Sequence, residues 1–114
     1  MTRRFWLAAL VAVALLIGLA PAAIASPPPL PASMVAVGDS ISQAASTGGS
    51  LGTDYPANAW STGTNSTVNS HYLRLLALNP DISGKNYNRS VSGAKMADLA
   101  GQMQTAAALQ PDYL

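Results

Sequence analysis

Met34-Val35-Ala36-Val37-Gly38-Asp39-Ser40 is the stretch from which the rest of the chain can be read. A short apolar run that includes two β-branched valines and ends at a glycine has the form of a buried strand. A serine hydroxyl is thereby delivered just past the carboxyl end of that strand. In open parallel α/β sheets, ligands and chemistry collect outside the carboxyl ends of the strands, which makes Ser40 a candidate nucleophile. The bland reading of the same serine is a polar strand end or a helix N-cap, and the tripeptide alone does not choose between the two. The surrounding pattern has to.

Downstream, helical spacing begins at Thr67, with Val68, Tyr72, Leu75 and Leu76 on one face, Ser66 or Thr67 as N-cap and Asn79-Pro80 as the stop. Lys85 to Val91 reads as a second strand and ends in Ser92-Gly93-Ala94. A second amphipathic helix carries Met96, Leu99, Ala100, Met103 and Ala107 until Pro111 ends it. Asp112-Tyr113-Leu114 opens a third strand. Strand, helix, strand, helix, strand start predicts an α/β fold: a parallel sheet with helices on its faces, of which the first βαβα portion is present. Ser40 and Gly93 then share one edge, each in a loop that leads from a strand to the next helix. A serine nucleophile needs a base and donors for the developing oxyanion. A backbone N–H serves as donor where no Cβ blocks the approaching oxygen, a role Gly93 fits; its plain alternative is a turn glycine required only for positive φ.

Before the first strand, Arg3-Arg4 precede an apolar stretch from Phe5 to Ala20, then Pro21 and Ala23-Ile24-Ala25. This has the form of a secretory signal peptide over residues 1–25 with cleavage before Ser26. The apolar stretch is shorter than the roughly 20 residues a membrane span needs, so no stable span is expected after cleavage, an uncleaved anchor being the alternative. The very apolar core favours general secretory export over the twin-arginine route that Arg3-Arg4 loosely suggest. Residues 26–33 are a proline-rich spacer. Between Ser46 and Ser66, two Ser/Thr/Gly-rich runs bracket Tyr55, Pro56 and Trp60, a long irregular segment that reads as a functional loop or as a disordered surface insertion.

Of six Lys/Arg residues, two lie in the signal segment, so the mature part carries four against five Asp. That balance leaves no basic patch for nucleic acid. The absence of cysteine excludes a disulfide scaffold, a thiolate nucleophile and Cys-ligated zinc. Neither a G-x-G-x-x-G run nor a Walker lysine occurs. No cofactor is implied.

Val35-Ala36-Val37-Gly38-Asp39-Ser40 and Asn88-Arg89-Ser90-Val91-Ser92-Gly93-Ala94 together resemble the first two sequence blocks of the SGNH, or GDSL-type, hydrolases, in particular their secreted actinobacterial-looking members. The resemblance covers residues 34–114 and departs from the pattern at Ile41, which stands where the motif name has leucine. It implies a flavodoxin-like SGNH fold, Ser40 as nucleophile and backbone oxyanion donor, Gly93 as a second donor, and a small-molecule, lipid or carbohydrate ester as substrate. The family's third block, Gly-x-Asn-Asp, and its late Asp-x-x-His do not occur. Residues 34–114 are therefore expected to be the N-terminal part of such a domain, inactive alone. His71, on the predicted first helix, is not expected to be the base, and Asp39 is expected to be a local acceptor that fixes the nucleophile loop. A phosphatase of the haloacid-dehalogenase type is disfavoured by the lack of any acid between Ser26 and Val37. The alternative from another class is an exported, non-catalytic module whose Ser46–Ser66 loop presents Tyr55 and Trp60 to a glycan or a protein. Two glycosylation sequons, at Asn65 and Asn88, carry no assigned role.

Overall fold

The computed structural model describes residues 26–114; the expected signal segment, residues 1–25, lies outside the described residues. The first strand, β1 (Met34–Ala36), pairs in parallel with β2 (Asn86–Asn88), Met34 opposite Asn86 and Ala36 opposite Asn88. Successive N–H groups of a strand point to opposite sides. The Met34 N–H reaches the Lys85 carbonyl on the β2 side (2.9 Å), and the Val35 N–H reaches the Tyr113 carbonyl on the other (2.9 Å). Tyr113 also forms a parallel bridge with Met34. β1 is therefore central, with β2 on one flank and the expected third strand start on the other.

Helix α1 (His71–Leu78) follows β1 and helix α2 (Leu99–Ala107) follows β2, the latter preceded by a 3-10 turn at Met96–Asp98. The parallel α/β character read from the sequence is present. Met34 packs with Tyr72 of α1 and with Ile82, flanked by the half-buried Leu73, Leu75 and Leu76. Side chains alternate between the faces of a strand, and both Met34 and Val35 are about fully buried. Both faces of β1 are thus covered at its start.

The bounds of α1 and β2 differ from the sequence expectation. α1 begins at His71 and not near Thr67, because the Asn65 side chain captures the Thr67 N–H (3.0 Å) and Asn69 turns the chain with φ +50°. Ser70 is the cap in place of Ser66 or Thr67: its Oγ accepts from the Leu73 N–H (3.2 Å) and donates to the Gly63 carbonyl (2.6 Å). Val68 consequently stays outside the helix and exposed. The stop at Asn79-Pro80 holds, with Asn79 as C-cap. β2 is shorter than Lys85–Val91, because Asn88 folds back so that its Oδ1 accepts from the Ser90 N–H (3.0 Å). The ladder nevertheless continues irregularly, as the Arg89 N–H donates to the Ala36 carbonyl (2.7 Å) and the Val91 N–H to that of Gly38 (3.1 Å).

The face of α2 is rotated from the one expected. Met96, Ala100, Met103 and Ala107 are exposed, whereas Gln102 and Ala106 are buried with Leu99 and Leu109 half-buried beside them. A polar partner, described below, draws Gln102 inward. The proline-rich spacer has no regular structure, and its end is anchored: the Asn79 amide donates to the Leu30 and Pro31 carbonyls, and the Ala32 N–H to Asp112 Oδ2 (2.8 Å). Among the described residues no helix is long and apolar enough to cross a membrane.

Candidate active site

The parallel pairing of Ala36 with Asn88 puts the carboxyl ends of β1 and β2 side by side. The loops that leave them are laced together. Gly38 accepts the Val91 N–H, Asn88 Nδ2 donates to the Ser42 carbonyl (2.9 Å), and Gln43 Nε2 donates to the Ser90 carbonyl (2.6 Å). The two sequence blocks, some fifty residues apart in the chain, therefore form one connected polar structure at one edge of the sheet.

Gly38 turns the chain out of β1 with φ +140°, a conformation that L side chains rarely adopt. A Cβ there would collide with Ser42 Oγ and stand 3.2 Å from Ser42 Cβ. Asp39 comes next, and its Oδ1 accepts the Ile41 N–H (2.9 Å), which is the local fixing role expected of it. Ser40 follows, half-buried, at the head of a run of turns in which the Gln43 N–H donates to the Asp39 carbonyl (3.1 Å) and the Ala45 N–H to that of Ser40 (2.9 Å). Among the described residues the Ser40 hydroxyl has no hydrogen-bond partner, and the Ser40 N–H donates to none.

Gly93 sits in the turn Val91-Ser92-Gly93-Ala94, closed by the Ala94 N–H on the Val91 carbonyl (3.0 Å). Its φ of +86° at the third position is the signature of a type II turn. A Cβ built on it would meet nothing within 4 Å. Positive φ thus requires glycine here, and the open space beside it leaves room for an oxygen to approach. The Gly93 N–H, like that of Ser40, donates no hydrogen bond among the described residues. Gly93 lines a depression of about 600 Å³ with Ala97, Asp98 and Gly101; Gly38 and Asp39 line a neighbouring one of about 390 Å³, and Ala94 and Gln102 belong to both. Ser40 is in the wall of neither.

Compared with family models, curated proteins and solved structures, the chain gives no match.

His71 is held apart from the Gly38–Ser40 loop's hydrogen bonds. Its ring stands edge-on to Trp60, with centroids 5.2 Å apart and planes at 87°, and the His71 backbone N–H donates to the Trp60 carbonyl (3.0 Å). Among the described residues no three His or Asp side chains converge as metal ligands would. The long loop is ordered by its own polar groups. Gly52 N–H donates to Ser46 Oγ, Asn58 Nδ2 to Thr47 Oγ1 and Asn65 Nδ2 to Asn58 Oδ1, while Ala59, Ser61 and Thr62 are buried. Tyr55 is folded against Gly48, with its hydroxyl accepting the Ser50 N–H (3.2 Å); Trp60 remains half-exposed. Asp54 joins this loop to the glycine turn by accepting the Ser92 hydroxyl.

Gln43, Asn88 and Gln102 were not singled out by sequence as site residues, yet they carry the lacing. Only Gln102 left a signal: it lies three residues after Leu99 and four before Ala106, a polar residue on what becomes the buried stripe.

Proposed function

We propose that residues 34–114 carry the nucleophile and part of the oxyanion hole of a secreted serine ester hydrolase of the SGNH type, with Ser40 attacking the ester carbonyl and the N–H groups of Ser40 and Gly93 receiving the oxyanion. The observation that carries this reading is the lacing of the Gly38–Ser40 loop to the Asn88–Gly93 segment, which leaves the Ser40 hydroxyl and both N–H groups unpaired at one sheet edge.

In this mechanism a base takes the Ser40 proton as Oγ bonds to the acyl carbon, the alcohol leaves, and water hydrolyses the acyl-enzyme. The His71 ring meets Trp60 edge-on and makes no hydrogen bond to the Gly38–Ser40 loop, so no base is assigned to Ser40 among the described residues. The flank order β2, β1, Tyr113 matches the opening of the flavodoxin-like 2-1-3 order. Helices on both sheet faces and the signal peptide at residues 1–25 complete the proposal.

Hydrolysis of p-nitrophenyl acetate by the full-length gene product tests it. Ser40→Ala is expected to lower kcat by several orders of magnitude, whereas Ser42→Ala, two residues away, leaves it near wild type. Equal turnover by Ser40→Ala and wild type would end the serine-hydrolase reading.

A further inference from the structure

Gln102 is more than nine-tenths buried, although it stands on a helix whose Met103, like Met96 in the preceding turn, faces outward. Its side-chain amide grips one backbone residue from both sides. Oε1 accepts the Gly38 N–H (2.7 Å), and Nε2 donates to the Gly38 carbonyl (2.8 Å). That carbonyl also accepts the Val91 N–H, so every polar group of Gly38 is used. Two hydrogen bonds from a planar amide to the two peptide planes flanking one Cα fix both φ and ψ there. Gly38 is the residue at which the chain turns with φ +140° toward Asp39 and Ser40.

We propose that Gln102 is the positioning residue of the nucleophile loop: its amide clasps Gly38 and so sets where Ser40 Oγ stands relative to the oxyanion donors. This rests on the reading of Ser40 as nucleophile. The clasp reaches across 64 residues and joins α2 to the end of β1. Gln102 also borders the depression that Gly93 lines, and the Gly38 carbonyl it clasps accepts the Val91 N–H at the start of the glycine turn. Gln43 makes a single bond to the same region and Asn88 anchors Ser42; neither touches the residue whose backbone angles aim the loop.

A purely structural glutamine would affect stability alone. A positioning one governs the acylation rate of the folded protein, and misplacement of a reacting group by about 1 Å costs about 10²-fold. The test uses Gln102→Met, close in volume but unable to make the clasp, and Gln102→Glu, in the full-length gene product. Phosphonylation by a fluorophosphonate ester, hydrolysis of p-nitrophenyl acetate and hydrogen exchange at the Gly38 amide are measured on each.

Gln102→Met is expected to lose protection at the Gly38 amide and to be phosphonylated at least tenfold more slowly, with kcat falling and KM within about twofold. The Gln102→Glu carboxylate accepts but cannot donate, so its rate relative to wild type should rise as pH falls and the carboxyl regains a proton to give the Gly38 carbonyl. If Gln102→Met does not fold, this pH-dependent ratio carries the test. A wild type labelled at Ser40 together with a folded Gln102→Met labelled equally fast would overturn the proposal, as would a flat pH ratio for Gln102→Glu. An unlabelled wild type would instead remove the nucleophile reading, and the positioning role with it.

Discussion

Gly38→Ala should be among the most damaging small substitutions in the described part of the chain, and its cost can be built up from the structure. The backbone contribution comes from φ +140°, where a Cβ is strained whatever its surroundings; residues held in such regions cost about 1–3 kcal/mol. The contact contribution comes from Ser42, whose Oγ lies where the new methyl would sit and whose Cβ would be 3.2 Å away. Turning the Ser42 hydroxyl aside and shifting its Cβ by a few tenths of an ångström costs about 0.5–1.5 kcal/mol. The sum is about 1.5–4.5 kcal/mol. Gly49→Ala provides the control, because Gly49 has φ +103° with nothing within 4 Å of an added Cβ, so it bears the backbone contribution alone. Urea denaturation of Gly38→Ala, Gly49→Ala, Ser42→Ala and the Gly38→Ala/Ser42→Ala pair separates the two. The pair should recover about 1 kcal/mol relative to the sum of its single variants. Strict additivity, or equal destabilisation by Gly38→Ala and Gly49→Ala, would refute the packing of Gly38 against Ser42.

Gln110→Gly, just past the end of α2 where φ is +47°, should stabilise by about 0.5–1 kcal/mol in the same denaturation assay, the relief of left-handed strain outweighing the added freedom of the unfolded chain. Ile82→Ala removes a fully buried side chain from the small cluster with Met34 and Tyr72 and should cost about 2–5 kcal/mol, read from the shift in the urea midpoint. His71→Ala should forfeit the edge-on pairing with Trp60, worth about 0.5–1.5 kcal/mol, without slowing p-nitrophenyl acetate turnover in the full-length gene product.

Much of this arrangement is legible from residue order. Met34 to Ala36 declares a buried strand, Pro80 and Pro111 mark where the helices must have ended, and the alternation of elements is enough to set parallel pairing and hence a shared edge for Ser40 and Gly93. What escapes is set by polar groups far apart in the chain. The start of α1 depends on whether the Asn65 side chain or the helix claims the Thr67 N–H, a competition that periodicity does not register. The face of α2 depends on a backbone donor and acceptor at Gly38, so that a glutamine is buried where hydrophobicity alone points to the methionines. The order within the Ser46–Ser66 loop arises likewise from amide and hydroxyl pairs such as Asn65 with Asn58, which have no sequence period.

Peptide mapping by mass spectrometry after treatment of the full-length gene product with a fluorophosphonate tests the role of Ser40 most directly. The reagent adds covalently to a serine activated by a base beside an oxyanion site. The predicted result is one phosphonyl group per molecule, carried by Ser40, absent from Ser40→Ala and acquired more slowly by Gly93→Ala at matched exposure times. A label on Ser42 or Ser90 with Ser40 unmodified, or no label on a folded and exported product, would contradict the assignment of Ser40 as the nucleophile.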